Sequence, residues 1–162
     1  MLAAHRVSLS FTFFAVLACD HARERAETRR VTLPKTTTLP AMTLTVPKFL
    51  NAPVALASSD HPNAGYALAG AEQPGPDGFA ARVQIERHDG KQPLCDGEWV
   101  TERREALEVR SCAAADLTTV LIPHAAGEIL CWSQWHAFGD ITAHQRTIAD
   151  AIDATCTTIT FQ

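Results

Sequence analysis

The chain has 162 residues, of which 46% are hydrophobic and 20% charged, a composition typical of one globular domain rather than of a disordered or fibrous protein. Its formal net charge is −4, and the part after Arg30 holds nine basic and fifteen acidic residues, a net charge of −6. Nucleic-acid phosphates are neutralised by Lys and Arg, and here acidic residues outnumber basic ones. The sequence therefore predicts no nucleic-acid partner.

The first residues have the layout of an export signal. A short basic start that contains Arg6 precedes an uncharged apolar run of eleven residues, 7–17. This run is shorter than the roughly 20 residues that a membrane-spanning helix needs. Residues 16–19 then read VLAC, small residues that lead into a cysteine. We therefore predict a signal peptide over residues 1–18 and a location outside the cytoplasm.

Residues 16–19 resemble the lipobox of bacterial lipoproteins, in which the cysteine is acylated and becomes the new N-terminus. The resemblance implies that Cys19 carries fatty acid such as palmitate. It also implies that the protein is held at a membrane of the cell envelope or periplasm, stably if more than one chain is attached. The alternative is ordinary cleavage after Ala18, because Val16 and Ala18 also suit that peptidase. No family is recognised for the rest of the chain.

Residues 19–47 are predicted to form a lipidated N-terminus and a Thr- and Pro-rich tether. Proline fixes φ and lacks a backbone donor, so this composition favours extended chain over helix. Residues 42–46 could instead add an edge strand to the folded part. The folded domain is predicted to cover residues 48–162.

Within that domain, residues 79–87 give the clearest strand pattern. Apolar Val83 and Ile85 alternate with polar Arg82 and Gln84, which predicts one face on the core and one in water. Further strand candidates are residues 54–57, 66–69, 106–112, 117–122, 128–138 and 157–161, and residues 99–104 are ambiguous.

The period of the pattern changes after residue 140. Apolar residues recur at helical spacing up to Ile152, and the helix should end near Ala154. Thr142 and Gln145 fit a capping box, with Asp140 as a competing N-cap. These elements predict an α+β fold, in which an antiparallel β-sheet is packed by a C-terminal α-helix and braced by disulfides.

The disulfides follow from the cysteine count. Cys95, Cys112, Cys131 and Cys156 remain after Cys19, an even number in a compartment that permits oxidation. Three pairings are possible, and we favour Cys95–Cys112 with Cys131–Cys156 because each closes a short local unit. Zinc is the alternative use of four cysteines, but their spacing contains no Cys-x-x-Cys pair.

A possible binding surface lies in the segment with Trp132, Trp135 and His136. On a strand, successive side chains point to opposite faces, so Trp132 and Trp135 fall on different faces. Either both faces are covered, or one tryptophan is exposed and belongs to a binding surface.

The same segment offers weaker catalytic and metal-binding sets. Ser133, His136 and Asp140 are the residue types of a catalytic triad, but Ser133 and His136 lie three apart on a strand and point to opposite faces. His136, Asp140 and His144 could bind a metal, although their spacing matches no specific motif. No glycine-rich phosphate loop occurs. The sequence thus assigns no catalytic residue, no metal and no cofactor.

Together these patterns predict a membrane-anchored extracytoplasmic lipoprotein that acts as a non-enzymatic binding module of the cell envelope. Its expected partners are the membrane, through the N-terminal lipid, and a protein, for which an acidic domain favours basic chemistry. The alternatives are a metal-assisted hydrolase of the envelope and a purely structural envelope component.

Overall fold

The computed structural model describes residues 25–57, 64–72, 78–90, 95–104, 107–125 and 127–162. The predicted signal peptide and Cys19 lie outside these residues. Within them, no helix is both long enough and apolar enough to cross a membrane.

The described residues form ten strands, one α-helix and one 3₁₀ turn. The first five strands are β1 (Thr28–Leu33), β2 (Met42–Pro47), β3 (Val54–Leu56), β4 (Gly65–Glu72) and β5 (Phe79–Arg87). The next four are β6 (Trp99–Arg104), β7 (Leu107–Ala114), β8 (Leu117–Ile122) and β9 (Ile129–Ala137). The chain ends with α1 (Ala143–Thr155), the 3₁₀ turn (Cys156–Thr158) and β10 (Thr160–Phe161).

The strands build two antiparallel sheets. Seven strands form a large sheet in the order β3-β4-β5-β9-β8-β7-β6, and three form a small sheet in the order β1-β2-β10. The predicted α+β class is confirmed at this level, as mostly antiparallel sheet with one C-terminal helix. The small sheet is an addition to the prediction.

One core joins the small sheet, α1 and one face of the large sheet, which we call the inner face. The helix contacts β2 of the small sheet and β5 and β9 of the large sheet, so it packs on both sheets. Its buried stripe includes Ile148 and Ile152, which recur at helical spacing. The opposite face of the large sheet, the outer face, receives neither α1 nor the small sheet. The largest fully buried core side chains include Phe79, Leu33, Leu44, Leu68, Ile85, Ile129 and Ile152.

The predicted tether over residues 19–47 is wrong from Thr28 onward, because β1 and β2 belong to the folded unit. Leu33, Met42 and Val46 are completely buried. Apolar and threonine residues alternate along β2, which is the pattern of a half-buried strand. The prolines stand just after β1, before β2 and at its last residue, where they do not interrupt the ladder. The domain therefore begins by Thr28, and β2 is a central strand rather than an edge.

The end of the chain also differs from its prediction. The sequence predicts one strand over residues 157–161, but the 3₁₀ turn includes the first two of them and only Thr160–Phe161 form a strand. The hydroxyl of Thr157 donates to the Ala154 carbonyl at 2.7 Å, and that of Thr158 donates to the Thr155 carbonyl at 2.7 Å. These bonds satisfy carbonyls at the helix end and prolong the helical turn.

The start of α1 has the predicted capping box. The backbone N–H of Gln145 donates to Thr142 Oγ1 at 3.1 Å, and the N–H of Thr142 donates to Gln145 Oε1 at 2.9 Å. Thr142 is therefore the N-cap, and Asp140 is not.

Two disulfides brace the fold, in the pairing that the sequence favours. Cys131 and Cys156 join the inner face of β9 to the end of α1, with a Cα–Cα distance of 5.6 Å. Cys95 and Cys112 join the segment before β6 to β7 on the outer face, with a Cα–Cα distance of 6.3 Å. Each face of the large sheet thus carries one disulfide.

Candidate recognition surface

The register of the large sheet shows which side chains share the outer face. One row crosses all seven strands, because each member pairs with the next through the ladder. On this row Trp132 of β9 has Gln84 on one side and Thr119 on the other. The complete row is Val54, Ala67, Gln84, Trp132, Thr119, Cys112 and Trp99.

The two tryptophans of the predicted binding segment lie on opposite faces. Trp132 is half-buried on the outer face, with the Arg82 guanidinium 5.3 Å from its ring centroid. Trp135 is half-buried on the inner side, where its ring stacks on Phe79 at 5.8 Å. His136 is exposed on the outer face. The structure therefore brings Trp132 and His136 to one face and gives Trp135 a packing contact on the other.

A groove of about 380 Å³ opens on the outer face beside Trp132. Its lining residues include an aromatic residue, the disulfide-bonded Cys95 and two acidic residues, Asp96 and Asp116. The amide of Gln134 donates to Asp116 Oδ2 at 3.4 Å, a long bond that orients this carboxylate. We call this site the Trp132 groove; its lining is Cys95, Asp96, Ala114, Ala115, Asp116, Leu117, Trp132 and Gln134.

One wall of the Trp132 groove is a strained turn. Ala115 and Asp116 connect β7 to β8, and Ala115 has φ of +50°. A residue with a Cβ in this left-handed region costs roughly 1–2 kcal/mol, and such outliers cluster at functional sites. Glycine or asparagine would be the ordinary choice for this position in a two-residue hairpin turn.

The groove lies in an acidic neighbourhood. Burial raises the pKa of Asp153 on α1, and the charges of Asp150 and Asp116 raise it further, although the Thr118 hydroxyl opposes the shift. The Thr118 Oγ1 and Asp153 Oδ1 atoms are 3.2 Å apart. Asp116 thus contributes to a negative field that extends from the groove towards the helix.

The structure separates the triad candidates. Ser133 is completely buried on the inner face, and its Oγ has no hydrogen-bond partner within the described part of the chain. His136 is on the outer face, where its ring meets the Phe138 ring edge-on at 4.9 Å. The two side chains point away from each other, as the strand period predicts.

The structure does not group His136, Asp140 and His144 as ligands of a metal ion. His144 Nε2 lies 3.6 Å from Glu72 Oε2. Asp140 is exposed ahead of the helix. Across the described ranges, no three His, Cys, Asp or Glu side chains are grouped closely enough to hold a metal ion.

A polar cluster that the sequence reasoning missed lies at the other end of the outer face. Glu128 accepts a hydrogen bond from Arg110 at 2.8 Å, and its second oxygen lies 2.7 Å from His88 Nδ1. Burial alone would raise the pKa of Glu128, but the hydrogen bonds and charges of Arg110 and His88 lower it below the usual value. The three residues are far apart in the sequence, so no local pattern indicates the cluster.

Comparisons of the chain with protein-family models, with curated proteins and with solved structures found no match.

Proposed function

We propose that the protein is an envelope lipoprotein, anchored through Cys19, that binds a basic side chain of a protein partner in the Trp132 groove. The observation that carries this proposal is the composition of the groove: Trp132, Asp96 and Asp116 all line it. The groove lies on the face of the large sheet opposite the helix.

The chemistry of the groove suits a cation. A Lys or Arg side chain gains from the face of an aromatic ring, by about 0.5–1 kcal/mol at exposed sites and more when desolvated. Carboxylates nearby add charge-assisted hydrogen bonds. Arg82 already lies over the Trp132 ring, which shows that this ring accepts a guanidinium neighbour. A planar guanidinium from a partner would fit between the ring and the carboxylates.

The overall charge supports the same partner chemistry. The net charge of −6 after Arg30 would attract a basic protein over long range and raise the rate of association at low salt. The export signal and the two disulfides agree with a protein that meets this partner outside the cytoplasm.

Two measurements test the proposal. Mass spectrometry of the mature N-terminus should find acyl chains on Cys19; a chain that starts at an unmodified Cys19 would indicate ordinary cleavage instead. Calorimetry with a poly-arginine peptide should show binding that weakens as salt is added. A poly-glutamate peptide should not bind.

Matched variants locate the binding site. Trp132→Ala and Asp116→Asn should each weaken poly-arginine binding, because each removes one wall of the groove. Glu108→Gln removes the same unit of charge from β7, about 20 Å along the strand, and should leave binding nearly unchanged. Equal losses in Asp116→Asn and Glu108→Gln, with no loss in the uncharged change Trp132→Ala, would mean that the peptide reads only net charge, and the proposed groove would be rejected.

A further inference from the structure

One end of the domain receives the chain from Cys19, and we call it the entry end. Arg25, the first described residue, lines a cavity of about 360 Å³ there. Lys48, Glu72 and His144 line the same cavity, so the ends of β2 and β4 and the start of α1 meet at this point. Because Arg25 is only six positions after Cys19, the entry end lies nearest in the chain to a lipid on Cys19.

Phe138 is at this same end. Glu72 pairs with Phe79, and Phe79 pairs with Ala137, so Glu72 and Ala137 are two strand spacings apart, about 10 Å. Phe138 follows Ala137 directly, and its backbone N–H donates to the Gly78 carbonyl at 3.0 Å. This bond holds the aromatic side chain beyond the last pair of the ladder.

Phe138 is unusually exposed for an aromatic residue. The residue is 59% exposed. Among the described residues, the other exposed large apolar residues are Val54, at 64%, and Val100, at 49%. The two valines lie on the edge strands β3 and β6, whereas Phe138 projects from the end of the sheet.

The chain between the proposed anchor and the domain is short. Five residues, 20–24, lie between Cys19 and Arg25, so the two Cα atoms are at most about 20 Å apart when the chain is fully extended. The nine residues of β9 are about 30 Å long. A lipid on Cys19 therefore holds the entry end closer to the bilayer than the opposite end of the sheet.

The charges at the entry end are compatible with a headgroup layer. Lys48 Nζ lies 3.1 Å from Glu27 Oε2, and Glu72 is within 3.6 Å of His144, so both carboxylates have basic neighbours. Asp140, two positions after Phe138, is exposed. Basic and acidic groups are thus mixed at the entry end. A surface of mixed charge can lie against zwitterionic and anionic headgroups, and it differs from the polybasic surfaces that bind anionic lipid through charge alone.

We infer that the entry end lies on the phospholipid bilayer, with the Phe138 ring in the interface between headgroups and acyl chains. Phenylalanine is among the apolar side chains that surface-bound proteins bury at this boundary. The inference rests on the acylation of Cys19 in the proposed function, and it adds a second, direct contact between the domain and the lipid.

Brominated lipids provide the test, because bromine quenches tryptophan emission only at close range. The lipidated mature protein is reconstituted in vesicles of phosphatidylethanolamine and phosphatidylglycerol with brominated acyl chains. Phe138→Trp adds a probe at the entry end, and Val54→Trp and Val100→Trp are matched controls at the other exposed apolar positions. The chain has three tryptophans of its own, so the emission of the unsubstituted protein in the same vesicles is subtracted from that of each variant. The remainder is the emission of the added tryptophan. We expect the tryptophan at position 138 to lose most of its emission and the two controls to keep theirs.

The outcomes separate the two claims. If the protein sediments with the vesicles but the tryptophan at position 138 keeps its emission, the anchor stands and the inferred contact is wrong. Equal quenching at all three positions would mean that the domain has no preferred orientation, which also overturns the inference. A protein that carries no lipid mass and does not sediment with vesicles would remove the anchor and, with it, the inference.

Discussion

The two faces of the large sheet are made by alternate residues of the same strands, yet they have different physical roles. On β5, Val83 and Ile85 are completely buried in the core that also contains residues of the helix and the small sheet. Arg82 and Gln84, their neighbours in the sequence, form the outer face and bond to each other at 2.7 Å. The register of the strands thus decides which side chains lie on each face. The inner face stabilises the fold, and the outer face, opposite the helix, has the Trp132 groove.

The largest expected effect is on the inner face, at Phe79. This side chain is fully buried and contacts both Phe49, at a centroid distance of 6.2 Å, and Trp135. Phe79→Ala should lower the free energy of unfolding by about 3–5 kcal/mol, because it removes a large apolar group and leaves a cavity. Urea unfolding measures the change.

A substitution on the outer face of the same strand is the control. Gln84→Ala should change the free energy of unfolding by no more than about 0.5 kcal/mol, the usual range for surface positions. If the two variants lost similar amounts of stability, the division of roles between the faces would be wrong.

The two disulfides extend the comparison. The loop closed by Cys131 and Cys156 spans 25 residues, and that closed by Cys95 and Cys112 spans 17. In the chain-entropy description, removing them costs about 3.5 and about 3 kcal/mol. Both inner cysteines are completely buried, so their replacement by alanine also loses packing.

We compare two double variants: the inner variant, Cys131→Ala with Cys156→Ala, and the outer variant, Cys95→Ala with Cys112→Ala. Urea unfolding should give the inner variant the lower free energy of unfolding. Only the second pair borders the Trp132 groove, and only its removal should also weaken poly-arginine binding. Weaker binding in the inner variant alone, measured while it is still folded, would contradict this assignment.

The turn at Ala115 tests whether the groove wall stores strain. Ala115→Gly should raise the free energy of unfolding by about 1 kcal/mol, because glycine adopts the φ of +50° without a Cβ penalty. Ala113→Gly, on the exposed part of β7 where the backbone is extended, should instead lower it by roughly 0.5–1 kcal/mol. A decrease in both variants would show that the turn is relaxed as it stands.

Local patterns in the sequence predicted much of this fold. The bounds of β5 and β8 agree with the predicted strands at residues 79–87 and 117–122, because alternation is a property of neighbouring residues. The capping box at Thr142 is equally local.

Long-range pairing explains what the sequence did not predict. The strand β2 is held by β1 and by β10, and Thr43 bonds Thr160 across 117 positions at 2.7 Å. The Pro- and Thr-rich composition of this segment does not indicate that β10 pairs with it. The sequence therefore predicts a tether there. Trp132 could be singled out as an unusual residue, but Asp96 and Asp116 become its neighbours only through the register of four strands.

The smallest effects, on pH dependence, should have opposite signs at two carboxylates. The pKa of Asp153 is raised in the folded protein, so its neutral form is favoured and its contribution to stability is present below the ordinary aspartate value. That contribution is lost as the pH rises through the raised pKa. The pKa of Glu128 is lowered, so its contribution is present above the ordinary glutamate value and is lost as the pH falls through the lowered pKa.

Asp153→Asn should therefore stabilise the protein at neutral pH, with a gain that shrinks on acidification, because the amide keeps an acceptor for Thr118 without the charge. Glu128→Gln should destabilise it at neutral pH, and that loss should shrink on acidification, because protonation already removes the pairing with Arg110 and His88. Both changes should stay below about 1 kcal/mol, since each carboxylate is partly exposed to solvent. Urea unfolding of the two variants across acidic and neutral pH measures both slopes, and slopes of the same sign would show that the burial of Asp153 or the pairing of Glu128 is misassigned.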